Sequence, residues 1–405
     1  MKQHNFRILP GLLAVAAIVF TSCHQAKPVA AEKLQEITSP AGPDSAQPNL
    51  AVGPNGQAYL SWIETTESGS PALKFSIRKD DKWSAPQTII ENDELVVNYA
   101  DFPSVLPMGG GVLAAHWMMS IPKSDGYNIN VAFSHDDGRT WSKPVVPHRD
   151  RTPNEHGFVS LTPAPDGGIG AIWLDSRKLK GPDSGGDVAM MYTSISQDGK
   201  LGPEISIDNR VCECCQPSAV RVGNNLLAVY RDRSDKEIRD TAIVRFDGTK
   251  WSEPKTVFAD MWKIYGCPIN GPAISAHGNQ VAVAWFTAPN DKPKVEMAFS
   301  VDGGINFGPP VQVDEGNPAG RVGIVVLDSG NAVVSWLERA DKAHQLRARR
   351  IDKDGTLHPS LLIGTTESGT SGGFPRIGRD GDAVMFAWTD TKDSRVKVSV
   401  LNAQN

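Results

Sequence analysis

Gly170-Ala-Ile-Trp-Leu-Asp175 is a short apolar stretch that closes on an aromatic and an acid, and its pattern recurs along the chain. It returns as Tyr59-Leu-Ser-Trp-Ile-Glu64, Leu113-Ala-Ala-His-Trp-Met118 and Leu227-Ala-Val-Tyr-Arg-Asp232. It returns again as Val281-Ala-Val-Ala-Trp-Phe286, Val333-Val-Ser-Trp-Leu-Glu338 and Met385-Phe-Ala-Trp-Thr-Asp390. The seven aromatics (Trp62, Trp117, Trp173, Tyr230, Trp285, Trp336 and Trp388) stand 55, 56, 57, 55, 51 and 52 residues apart. A spacing held this evenly marks a repeat architecture, in which each unit buries its apolar face against its neighbours.

Each unit reads as four short strands. A tight turn precedes the aromatic strand, as in Pro54-Asn-Gly56, Asp166-Gly-Gly168 and Asp380-Gly-Asp382, whose residues tolerate the positive φ of hairpins. A strand lies before that turn (Pro272-Ala-Ile-Ser-Ala276), another after the aromatic (Ile129-Asn-Val-Ala-Phe133), and a fourth follows a last turn (Trp251-Ser-Glu-Pro-Lys-Thr-Val257). Four antiparallel strands in about 50 residues is the blade of a β-propeller. The seventh unit stops at Val396-Lys-Val-Ser-Val400, one strand short, and Leu34-Gln-Glu-Ile-Thr38 reads as the missing strand. Closure from the other terminus removes the open edge. The expectation is an all-β, seven-bladed β-propeller over 33–405, with a six-bladed ring as the alternative.

The third-to-fourth-strand turns carry a family resemblance. Ser134-His-Asp-Asp-Gly-Arg-Thr-Trp141 has the form Ser-x-Asp-x-Gly-x-Thr-Trp, and Ser300-Val-Asp-Gly-Gly-Ile-Asn-Phe307 repeats it with Asn and Phe at the end. Degenerate copies are Ser196-Gln-Asp-Gly-Lys200 and Phe246-Asp-Gly-Thr-Lys-Trp251. The chain thereby resembles the Asp-box, or BNR-repeat, superfamily of sialidase-like propellers across most of its length. That resemblance implies a functional face where first strands begin and second strands end, with the Asp boxes on the opposite face. It also implies recognition of an acidic glycan and, by analogy, exo-α-sialidase-like hydrolysis. Sialidases of this superfamily have six blades where this chain counts seven, and their Arg-Ile-Pro segment near the first blade is absent. No catalytic residue therefore transfers position by position.

The N-terminus has Lys2 and Arg7 ahead of an apolar run from Ile8 to Phe20, then Phe20-Thr-Ser-Cys23. The run is short for a membrane span and suits a signal-peptide core. The last four residues resemble a bacterial lipobox, with Cys23 as the lipidated residue. Residues 1–23 are thus expected to be a lipoprotein leader and 24–32 a tether. The implied location is the cell envelope, with membrane contact through the lipid anchor alone. A net charge of −5 from 41 basic and 46 acidic residues, with no basic block, argues against a nucleic-acid partner. The expected partner is a glycan or small acidic ligand, and the expected state a monomer.

Departures from the repeat are the better pointers to function, and they gather in units three to five. A sialidase-like site would hold a carboxylate with Arg177, Arg231, Arg233 and Arg239, because a planar guanidinium binds it in two-point fashion. Asp175, Asp232 and Asp240 would supply acid/base chemistry. Asp101, Arg321 and Arg376 fall on the same face, with Tyr99, Tyr230 and Tyr265. An alternative is a non-catalytic protein- or glycan-binding module. The third class rests on Cys212, Cys214, Cys215 and Cys267. These read as two disulfides, as a thiolate site for zinc or copper (with His156 as a further ligand), or as a redox pair with one reactive thiol.

Overall fold

The computed structural model describes Met1, residues 33–179 and residues 186–402. The expected leader, Cys23 and the tether lie outside the described residues, Met1 apart. Seven antiparallel sheets follow one another along the chain. The third blade is representative: His156–Pro163 pairs with Ile169–Asp175, that strand with Val188–Ile195, and the last with Ile205–Val211. The second blade forms three strands, Ser104–Gly109, Val112–Ser120 and Tyr127–Ser134, with a bridge from Val131 to Val145 where the fourth would lie. The seventh blade is completed from the N-terminus. Lys33–Ile37 runs antiparallel to Arg395–Asn402, from Lys33 opposite Asn402 to Ile37 opposite Val398. The ring therefore has seven blades, and the first and last parts of the chain close it.

The recurring aromatics are the core of this arrangement. Trp62, Trp173, Trp285, Trp336, Trp388 and Tyr230 are among the largest fully buried side chains, and Trp117 is nearly so. Each sits on the second strand of its blade and packs between neighbouring sheets, where a large flat ring buries the most apolar area. An indole N–H placed there needs an acceptor. In three blades the residue two positions on supplies it: Trp62 donates to Glu64 at 2.9 Å, Trp173 to Asp175 at 2.8 Å and Trp336 to Glu338 at 2.7 Å. The acid that ends the repeated motif is thus part of the scaffold in these blades.

The Asp boxes hold their turns by local bonds. In Ser134–Trp141 the Thr140 hydroxyl donates to Asp136 at 2.6 Å, the Gly138 N–H donates to the Ser134 hydroxyl at 2.9 Å, and the Trp141 indole donates to the Gly138 carbonyl at 3.1 Å. Ser300–Phe307 repeats the set, with the Asn306 amide donating to Asp302 at 2.9 Å. These turns join third strands to fourth, so they lie at the end of the blades opposite to the second-strand termini. Both boxes serve the fold.

Candidate functional site

At the other end, first strands begin and second strands end. The first strands of all seven blades surround a central channel of about 290 Å³. At this end of it lie Phe102, Gln216, Phe374 and Arg376. The Arg376 guanidinium lies 3.8 Å from the centre of the Phe102 ring. Phe102 in turn packs on Phe374 at 5.9 Å. Arg321 stacks on Phe374 at 4.9 Å and on Tyr99 at 5.9 Å, and its guanidinium donates to the carbonyls of Gly373 and Gly369. Arg376 differs from its neighbours. Its Nε is buried with no hydrogen-bond acceptor, and among the described residues no carboxylate forms an ion pair with it. Burial alone pulls its pKa down to about 9, so the charge survives at neutral pH. Among the described residues, no acidic side chain lines the channel.

The arginines singled out from the sequence are placed very differently. Arg231 is 1% exposed, and each of its three guanidinium nitrogens donates to main chain: Nε to the Asn270 carbonyl at 3.0 Å, Nη1 to that of Arg239 at 2.7 Å, and Nη2 to that of Phe286 at 2.6 Å. It is a structural clamp between blades four and five, with Trp262 4.9 Å from it. Arg177 grips Asp175 through Nε at 2.7 Å and Nη2 at 2.6 Å, and reaches Glu204 with its third nitrogen. Arg233 pairs with Glu237 at 3.0 Å. Arg239 is shared among Glu237 at 3.1 Å, Glu213 at 3.1 Å and the Cys212 sulfur at 3.3 Å. The structure thus brings Arg233 and Arg239 together around Glu237, while Arg177 stands apart in blade three. The four do not converge as one carboxylate cradle.

The acids sort in the same way. Asp175 is fully buried, bonded to Trp173 and Arg177. Burial would raise its pKa, but the Arg177 hydrogen bond and the charge near His156 outweigh it and hold it low. Asp240 accepts the main-chain N–H groups of Met261 and Trp262, each at 3.0 Å, and fixes the segment leading to blade five. Asp232 has no indole to serve, because Tyr230 replaces tryptophan in blade four and donates its hydroxyl to Asp208 at 2.7 Å. Burial, then the nearby Asp208, pushes the Asp232 carboxyl up to about 6. Tyr230 is buried, and Tyr265 is exposed beneath Lys263, 5.1 Å away. Asp101 is enclosed by Tyr127 and the Phe158 N–H, and burial raises it to about 7.

Two clusters accompany the channel. His148 and His156 stack with ring centres 3.7 Å apart, and Asp150 touches both, at 3.3 and 3.1 Å. The His156 Nδ1 donates to the Asn154 carbonyl at 3.0 Å, and its Nε2 meets the Asp150 carboxylate at 3.1 Å. Burial, and next the neighbouring His156, lowers His148 to about 4, against the pull of Asp150 beside its Nδ1. Sequence reasoning noted His156 alone. His148 and Asp150 lie in the loop entering blade three, and the signal that could have found them is the His148-Arg-Asp150 spacing just ahead of His156. The second cluster holds the four cysteines, whose sulfurs all lie within 4.8 Å of one another. Cys214 and Cys267 form a disulfide, and Cys212 and Cys215 are buried free thiols.

A search of curated proteins finds no match. Among solved structures the chain resembles a protein of unknown function from Dyadobacter fermentans (TM-score 0.48, 14% identity, covering 92% of this chain and 99% of that one). It resembles the polysaccharide lyase Uly1 (TM-score 0.52, 9% identity, covering 85% and 88%). It also resembles an α-L-arabinofuranosidase from Fusarium graminearum (TM-score 0.50, 14% identity, covering 76% and 93%). At these identities the likeness is one of fold. The model of the BNR repeat-like domain matches residues 56–261, more than half of the chain, which therefore belongs to the BNR repeat-like domain family.

Proposed function

We propose that this propeller recognises an acidic glycan, and that Arg376 receives the carboxylate of its terminal sugar at the mouth of the central channel. The observation that carries this reading is the state of Arg376: a charged guanidinium lining the channel, with no carboxylate partner among the described residues and a buried Nε without an acceptor. A desolvated cation without a counter-ion is costly, and a ligand carboxylate relieves that cost through charge-assisted hydrogen bonds. Phe102 and Phe374 offer apolar faces beside it, suited to the C–H face of a sugar ring. The carbohydrate class follows the Asp-box resemblance; the preference for an acid follows from Arg376.

Recognition is supported better than hydrolysis. A glycosidase needs two acid/base or nucleophilic groups across the scissile bond. Asp175 and Asp240 are held in structural hydrogen bonds, and among the described residues no acidic side chain lines the channel beside Arg376. The reading is tested by calorimetric titration of the full chain with glucuronate and N-acetylneuraminate against glucose and glucuronamide. Binding of the acids only, weakened at least tenfold in Arg376→Gln, is the expected result. Equal binding of neutral and acidic sugars, or an indifferent variant, sinks the proposal. Release of a fluorogenic aglycone from a sialoside at a rate that survives Arg376→Gln would move the site elsewhere.

A further inference from the structure

The cysteine cluster carries a second, independent inference. Cys212 and Cys215 are spaced Cys-x-x-Cys on the segment entering blade four, each 1% exposed, with sulfurs 3.1 Å apart. Between them in sequence, Cys214 turns outward and joins Cys267 from the segment entering blade five, their Cα atoms 6.2 Å apart. Both members of that disulfide are partly exposed. The buried Cys212 sulfur lies 4.0 Å from the Cys267 sulfur. A dithiol and a disulfide therefore touch, one pair inside and one at the surface.

The surroundings favour a nucleophilic sulfur. Arg239 donates to the Cys212 sulfur at 3.3 Å, and the Asn270 N–H donates to that of Cys215 at 3.4 Å. Asn270 is itself fixed, taking the Arg321 N–H on its side-chain oxygen at 2.7 Å and giving its carbonyl to Arg231. The buried Arg231 has no carboxylate bonded to it and lends the cluster its positive charge. Hydrogen bonds from the Cys215 thiol first, and then the charges of Arg231 and Arg239, bring Cys212 to about 7 against the pull of burial. Burial pushes Cys215 well up. One ready nucleophile beside one reluctant partner is the arrangement that thiol–disulfide exchange requires.

We propose that the four cysteines form a thiol–disulfide relay, which passes a disulfide between the surface pair Cys214–Cys267 and the buried pair Cys212–Cys215. Cys212 loses its proton and its thiolate attacks the Cys267 sulfur. The Cys212–Cys267 bond forms, the Cys214–Cys267 bond breaks, and the electron pair leaves on Cys214, which takes up a proton. Cys215 then gives up its proton and attacks the Cys212 sulfur, the Cys212–Cys267 bond breaks, and Cys267 leaves as a thiolate that takes up a proton. The buried dithiol has been oxidised and the surface disulfide reduced, with no external reagent consumed. The surface dithiol is then placed to reduce a disulfide of a second molecule, re-forming Cys214–Cys267 and releasing two thiols. The partner class is a protein or small-molecule disulfide.

The test uses the full chain, isolated without reductant and held at pH 4, where thiolates are quenched. The pH is raised to 8, samples are alkylated over time, and pairings are mapped by proteolysis and mass spectrometry. The expected course is appearance of Cys212–Cys215 in molecules that began as Cys214–Cys267, at a rate independent of protein concentration. Cys215→Ser should accumulate the Cys212–Cys267 pairing, and Cys212→Ser should keep Cys214–Cys267 alone. Should a variant fail to fold, the wild-type course decides by itself. A fixed Cys214–Cys267 pairing with two inert thiols, two disulfides that do not exchange once one of them is reduced, or a native mass showing an ion held by four thiolates would overturn the relay.

Discussion

Arg231 and Arg376 stand on the same face of the same propeller, and they are used in opposite ways. Arg231 is sealed, its donors aimed at three carbonyls from three different segments. Arg376 opens into the channel with an aromatic ring on one side and no acceptor for its Nε. Both are arginines next to apolar strands, and sequence gives no sign of which is which. The lesson is that an arginine's partners, rather than its face, decide whether it can receive a ligand. The same contrast separates the clamped acids Asp175 and Asp240 from Asp232, which has lost the indole it would otherwise serve.

The sharpest way to break this comparison is to remove the clamp. Arg231→Ala strands three buried carbonyls and a cavity, and should cost about 3–5 kcal/mol of unfolding free energy in a denaturant titration. A loss below about 1 kcal/mol would show that Arg231 is not a clamp. His148 gives the next effect. Its folded pKa, about 4, lies below the ordinary histidine value, so the unfolded chain takes up the proton first. Stability is then full above about pH 6.5 and falls as the pH drops towards 4, by up to about 3 kcal/mol. His148→Phe should flatten the stability curve in that window; an unchanged slope would place the titration elsewhere. Asp240→Ala leaves the Met261 and Trp262 N–H groups without an acceptor, and should cost about 2 kcal/mol in the same titration. Arg376→Gln should not destabilise the fold, because no protein acceptor loses a bond and a desolvated charge is removed. Its effect belongs to ligand binding. A large stability loss there would mean that Arg376, too, is structural.

Much of the fold was legible because a propeller writes itself seven times. The period of the aromatics, the turn residues before each and the two well-formed Asp boxes all repeat, and a repeat averages out local ambiguity. The site was less legible for the same reason. Asp175 looked functional at the end of a second strand, yet Glu64 and Glu338 show that position serving an indole N–H. Arg376 lay in Phe374-Pro-Arg376, entering the last blade, and only its missing partner marks it out. His148 and Asp150 were hidden in a loop of no periodicity, brought to His156 by the turn of the chain.

The sequence by itself determined the number of blades, the closure by an N-terminal strand, found over Lys33–Ile37, and the gathering of three cysteines ahead of blade four. These are local or periodic facts, set by strand patterning and turn chemistry. Tertiary structure alone decided which charges are spent. The clamping of Arg231 by Phe286 and the reach of Cys267 to Cys214 join residues 55 and 53 positions apart in adjacent blades, and no spacing in the chain encodes whether a guanidinium finds its acceptor.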